Sequence, residues 1–120
     1  VVINSDMPFI KSIQSKACDI SVSATAEKSF SLELFGLKIS FNADDKILQC
    51  LDKSAPLKCE NGTVDLRIIF DTLYTEIFAD FGTVFMGMTY IADSNLNSLR
   101  IESKNATIHN ISVSELNSIH

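Results

Sequence analysis

Alternation of apolar and polar positions dominates the chain. Over 18–26, Cys18, Ile20, Val22 and Ala24 fall on one side of an extended segment and Asp19, Ser21, Ser23 and Thr25 on the other, because successive strand side chains point to opposite faces. A half-buried strand is predicted there. Phe30, Leu32 and Leu34 alternate with Ser31 and Glu33, and Gly36 interrupts the run before Leu37, Ile39 and Phe41 resume it against Lys38 and Ser40. That predicts a hairpin or a tightly bent pair. Asn42-Ala43-Asp44-Asp45 is turn chemistry, since Asn and Asp side chains bond their own backbone and tolerate left-handed conformations, and it leads into a short strand over 47–51. Positions 52–62, with Pro56 and Asn61-Gly62, hold no sustained period and read as a loop.

The second half continues the same period. Val64, Leu66, Ile68 and Phe70 alternate with Asp65, Arg67, Ile69 and Asp71; a strand after Leu73 runs to Ala79, the turn Asp80-Phe81-Gly82 follows, and 83–91 form a long apolar strand. Leu99 and Ile101 then alternate with Arg100 and Glu102, and 107–116 close the chain with Ile108, Ile111 and Val113 as core candidates. No helical stripe persists for the ~11 residues of an average helix. About eight to ten short strands punctuated by turns predict an all-β domain, a two-sheet antiparallel sandwich or a barrel, because half-buried sheets must pair their apolar faces. Residues 1–16 are weakly patterned and read as an entry segment from an upstream domain. That leaves 17–120 as one β-sandwich module.

Composition narrows the function classes. The 120 residues carry a formal charge of −5, and the ten basic residues are scattered. Nucleic acid is bound through clustered Lys and Arg, so it is an unfavoured partner. No window approaches the ~20 apolar residues of a bilayer span, and no membrane partner is expected. Val1 to Ile3 opens into ordinary sequence without a signal-peptide pattern, which leaves a cytoplasmic parent or a chain cut from a longer one. Cys18, Cys50 and Cys59 are odd in number and lack CxxC spacing. A Cys50 to Cys59 bridge is one reading; the preferred one is three half-buried thiols acting as small apolar groups. His109 and His120 have no ligand at zinc spacing, so no metal is expected.

No catalytic residues and no cofactor are assigned. Asp44, Asp45, Asp65, Asp71 and Glu76 are abundant carboxylates without a paired acid and base, and a turn or solvated role suits each. Gly36, Gly62, Gly82 and Gly87 are too dispersed for a phosphate loop or a nucleophile elbow. With Trp absent, Tyr74 and Tyr90 are the candidate sugar platforms, against the plainer reading of aromatic pairing across strands.

One spacing is specific: Asp71, four residues, Glu76, one residue, Phe78, three residues, Gly82. It resembles the signature hairpin of the C-terminal β-sandwich domain of glycoside hydrolase family 32, the invertase, levanase and inulinase group. Asp52-Lys53-Ser54 followed by Ala55-Pro56-Leu57, and the ending Leu116-Asn117-Ser118-Ile119, keep that family's order. Thr72 and Lys53 depart from it, standing where arginines are common. The resemblance implies a concanavalin-like, jelly-roll type of sandwich, with Phe78 filling the core between sheets, Gly82 supplying a positive backbone angle, and Asp71 and Glu76 tying turn or inter-domain amides. It places the catalytic residues on a β-propeller domain of the same parent chain, in motifs absent here. The implied role is to buttress that propeller, with an oligo- or polysaccharide or a second copy as further partners and a periplasmic or secreted parent as the open compartment. An apolar docking face beside the entry segment is expected.

Overall fold

The computed structural model describes residues 9–13, 17–59, 63–71, 74–80, 82–90 and 98–115. Among them are nine strands: β1 Phe9–Ser12, β2 Cys18–Leu34, β3 Leu37–Asn42, β4 Ile47–Cys50, β5 Lys53–Pro56, β6 Thr63–Phe70, β7 Tyr74–Ala79, β8 Val84–Thr89 and β9 Ser98–Glu115. All pairings are antiparallel.

Two strands are much longer than the sequence pattern predicts. β2 has 17 residues and β9 has 18, and they pair along nearly their whole lengths, with register shifts at Ser23/Ala24 and Ala26/Ser29. Irregularities of this kind let a strand bend and pass from one sheet to another. The first half of β2, 18–25, pairs with β6 and with the end of β9. Its second half, 29–34, pairs with β3 and with the start of β9. The result is a sandwich of two sheets: a hairpin sheet ordered β8-β7-β6-β2-β9 and a groove sheet ordered β5-β4-β3-β2-β9-β1. The segments 99–102 and 107–115, read separately from sequence, are parts of one strand.

The alternation decides what lies between the sheets. Cys18, Ile20, Val22, Ala24, Leu66, Ile68, Phe70 and Ile77 face inward from one sheet, and Phe30, Leu32, Leu34, Ile39, Phe41, Leu48, Leu99 and Ile101 from the other; all are buried. Each fully buried large apolar side chain contributes roughly 1.5–3 kcal/mol. Contacts across the layers tie the two faces together. The Phe35 and Phe70 rings lie 5.1 Å apart, and Cys50 Sγ approaches Met88 Sδ at 3.4 Å. Phe35 and Gly36 form the β2–β3 turn with φ of 49° and 87°, a left-handed pair that suits the twist of a hairpin. Burial of the Phe35 ring, 1% exposed, offsets the cost of placing a bulky residue there.

Two expectations are corrected and one holds. Within the stretch read as a loop, Lys53–Pro56 is an edge strand paired with β4; only Ala55 is even half-buried, so no apolar alternation announces it. Cys18, Cys50 and Cys59 are buried free thiols, as the preferred reading of the sequence has them. Phe78 does not fill the core. Its neighbours Ile77 and Ala79 take the inward positions, which by the period of two turns Phe78 to the outer face. Within the segment read as an entry, Phe9–Ser12 pairs with 98–101 of β9. Leu116, Asn117, Ser118 and Ile119, and with them the predicted closing motif, lie outside the described residues, as do Thr72 and Asn61-Gly62.

Candidate functional site

The motif hairpin builds one outer face. The backbone N–H of Asp71 donates to the Tyr74 carbonyl at 2.8 Å, turning the chain from β6 into β7. At the far end, the Gly82 N–H donates to the Ala79 carbonyl at 3.1 Å. Gly82 has a φ of 88°, the left-handed region that glycine enters without a Cβ clash, as the sequence reading expects. Asp80, noticed in the sequence only as a turn residue, has a second use: its carboxylate accepts from the Lys58 backbone N–H at 2.6 Å. It thereby pins the segment that crosses between sheets to the β7–β8 turn.

Outward from the hairpin sheet, Phe78 stands directly opposite Phe85, with ring centroids 5.2 Å apart. Tyr74, 45% exposed, and Phe85, 53% exposed, leave much of their rings in solvent. Gly87 lies between them, and a Cβ there would run into the Tyr74 hydroxyl and the Phe85 ring. The absence of a side chain lets both aromatics lie over the strand. Beside this patch, Asp65, Arg67, Ile69, Phe78 and Gly82 line a hollow of about 320 Å³. Arg67 donates to both carboxylate oxygens of Asp19, at 2.7 and 3.1 Å. This bidentate pair holds the Asp19 carboxyl below its ordinary value of 3.8.

The groove sheet presents different chemistry. Its outer face carries an open groove of about 860 Å³. Ser54 lies opposite Gln49, Gln49 opposite Ser40, Ser40 opposite Ser31, and Ser31 opposite Glu102. Five strands therefore contribute one continuous polar row to the groove. Lys38 and Arg100 flank it, and Arg100 Nε donates to Glu102 Oε1 at 2.5 Å. Phe30 and Phe41 also border it, while their rings point into the core, buried and 5.7 Å apart.

The structure gathers some of the sequence candidates and scatters the rest. Phe78 and Gly82 share the small hollow, and Glu76 lies opposite Ile69 and Gly87 on the same face. Asp52 is in the β4–β5 turn of the other sheet. Tyr90 is half-buried, donates its hydroxyl to the Phe35 carbonyl at 2.9 Å and meets Phe70 edge-on, so it is committed to the interior. The groove residues Ser31, Ser40, Gln49 and Glu102 were not candidates. They come from three successive strands and from the distant β9, and cross-strand register brings them together. Among the described residues, no group of three His, Cys, Asp or Glu could hold a metal ion.

No protein-family model and no curated protein matches the sequence. Solved structures do match in fold. Exo-inulinase from Aspergillus awamori superposes with a TM-score of 0.75 at 14% identity, over 93% of this chain and 26% of that one. Sucrose-6-phosphate hydrolase from Lactobacillus gasseri gives 0.73 at 18% identity, over 98% of this chain and 28% of that one. Galectin LEC-6 from Caenorhabditis elegans gives 0.69 at 14% identity, but there the match takes in 94% of the other chain as well. This chain thus spans a quarter to a third of the length of the hydrolases it matches. In fold it is the counterpart of one domain of the fructan- and sucrose-named hydrolases, the enzymes whose sandwich hairpin the Asp71, Glu76, Phe78 and Gly82 spacing resembles.

Proposed function

We propose that this chain is the non-catalytic β-sandwich module of a β-fructosidase, a glycoside hydrolase acting on a fructan such as levan or inulin, or on sucrose. The observation that carries the reading is the fold match over 93% of this chain to 26% of an exo-inulinase. The hairpin spacing supports it from an independent direction. In this reading the module packs against a catalytic β-propeller of the same parent chain and steadies it. The aromatic patch of Tyr74, Phe78 and Phe85 is the surface suited to that contact, since buried interface cores favour aromatic side chains. The sequence reading expects the docking face beside the entry segment. The contact proposed here lies instead at the β8 edge, with β1 on the far side of β9.

The test has two arms. The isolated chain, given sucrose, levan and inulin, releases no fructose; measurable release overturns the non-catalytic assignment. The natural coding region upstream of Val1 encodes a propeller with paired carboxylates, and a propeller produced without this module melts at a lower temperature than the intact parent. An upstream region coding for anything else overturns the fructosidase assignment. A second reading, a free-standing carbohydrate-binding or adhesin-like module, draws on the galectin match, in which the same fold makes up nearly an entire chain.

A further inference from the structure

We propose that the groove on the outer face of the groove sheet is a binding site for a linear, uncharged oligosaccharide, the fructan chain of the parent enzyme. This rests on the fructosidase reading. It moves the sugar contact from the tyrosines to the opposite face of the sandwich.

Size and length favour an oligomer. The groove of about 860 Å³ is at the upper end of the range of ligand sites. Its polar row crosses five strands, four spacings of ~4.8 Å, so it runs about 19 Å. That is longer than a single sugar ring requires.

The chemistry of the row favours hydroxyl groups. Serine hydroxyls both donate and accept, the Gln49 amide does the same from separate atoms, and Lys38 and Arg100 add charged donors. Serines at 31 and 40 are also short, which lets a ligand approach the sheet closely.

Charge selects among polar ligands. The chain as a whole carries −5, yet within the groove Lys38 and Arg100 are balanced by Asp45 and Glu102. A polyanion finds no excess of cations there, and a polycation finds no excess of carboxylates; a neutral polyol meets neither barrier. Aromatic rings do not line the groove as open platforms, because Phe30 and Phe41 are buried beneath it. Hydrogen bonding, not ring stacking, is the mode of capture. A protein partner is better matched by the aromatic patch of the hairpin sheet.

The test is an NMR titration of the 120-residue chain with fructosylnystose, a levan-type oligofructoside and maltotetraose. The expected result is a shift of the Ser31, Ser40 and Gln49 amides on adding either fructan, with maltotetraose far weaker. Ser40→Tyr, which fills the groove from an outward position, weakens binding by more than tenfold with the thermal midpoint unchanged. Arg100→Ala weakens it roughly tenfold, as loss of one charged hydrogen bond implies. Several outcomes overturn the site while leaving the module reading intact: no binding of either fructan, binding insensitive to both substitutions, or shifts centred on Tyr74 and Phe85. Burial of these same amides by an added propeller domain, with no sugar effect, also overturns it. Binding of maltotetraose without fructan overturns both the ligand and the fructosidase reading.

Discussion

The hairpin sheet turns Tyr74, Phe78 and Phe85 to its outer side, whereas the groove sheet turns Ser31, Ser40 and Gln49 to its own. Both faces obey the same alternation and rest on the same core, and β2 and β9 contribute to each. The difference lies in which residues occupy the outward phase. Apolar residues on both sides of β7 and β8 leave a patch that water wets poorly, and patches of that kind mark contact surfaces. Hydroxyl and amide residues on the outward phase of β2, β3 and β4 leave a face already hydrated, where a ligand must replace water with equivalent hydrogen bonds. One fold thus offers a dry contact and a wet one on opposite sides.

The strongest way to break the contrast is to remove what both faces share. Phe70 is fully buried and touches Phe35 and Tyr90, so Phe70→Ala should cost about 3–5 kcal/mol. In urea, Trp being absent, tyrosine fluorescence and far-UV circular dichroism should lose structure together; separate transitions would mean that the two sheets unfold independently.

Titration of the buried thiols compares the layers directly. Cys18 lies under the hairpin sheet and Cys50 under the groove sheet, and burial pushes each up to about 11 from an ordinary value of 9.0; Glu115 and Asp19 add to the effect at Cys18. The unfolded thiols ionise first, so the folded chain holds more protons between these values. Stability from this source is therefore full below pH 9 and falls as pH rises from about 9 to 11. Thiol-reactive labelling at pH 8 should be slow and equal at both cysteines, and faster labelling of one would show which layer opens first.

Thr75 sharpens the account of β7. Its hydroxyl is fully buried without a hydrogen-bond partner among the described residues, and such a group carries an uncompensated desolvation cost. Thr75→Val should raise stability by about 1 kcal/mol in chemical denaturation, and a loss would show that the hydroxyl has a partner. On the outer face, Phe85→Ser should change stability by less than about 1 kcal/mol while reducing binding of an apolar dye, and sedimentation of both forms would reveal any dimer through the patch. The smallest effect belongs to Asp19→Asn. The Arg67 side chain is 58% exposed, and exposed pairs contribute roughly 0–1 kcal/mol. That contribution is present above pH 3.8, the ordinary Asp value, and is lost as pH falls through the lowered value of Asp19.

Much of this was legible in the sequence where one face of a strand is clearly apolar. The 18–24 and 64–70 alternations give the right faces residue by residue, and Asn42 makes the turn bond expected of it, its Oδ1 accepting from Asp44 N–H at 2.9 Å. The phase of β7 was not legible. Ile77, Phe78 and Ala79 are consecutive apolar residues, and the largest of them sits outside. β5 was hidden because an edge strand with two wet sides has no pattern to show. The groove could not be read at all, since its row depends on the registers of β2, β3, β4, β5 and β9, and register is a property of the assembled sheets.

The pairing of β2 with β9 has a consequence for how the protein is made. Cys18 is partnered with Glu115 and Leu34 with Leu99, so both layers wait for β9, which begins at Ser98, long after β2 ends at Leu34. Until then β2 has one long open edge, with its core residues Ile20, Val22 and Leu32 unsealed. Contacts of such wide sequence separation slow folding and expose strand edges in the meantime. The nascent chain is thus most vulnerable to aggregation while β9 is still unmade, and a ribosome stalled before Ser98 would hold it in that state.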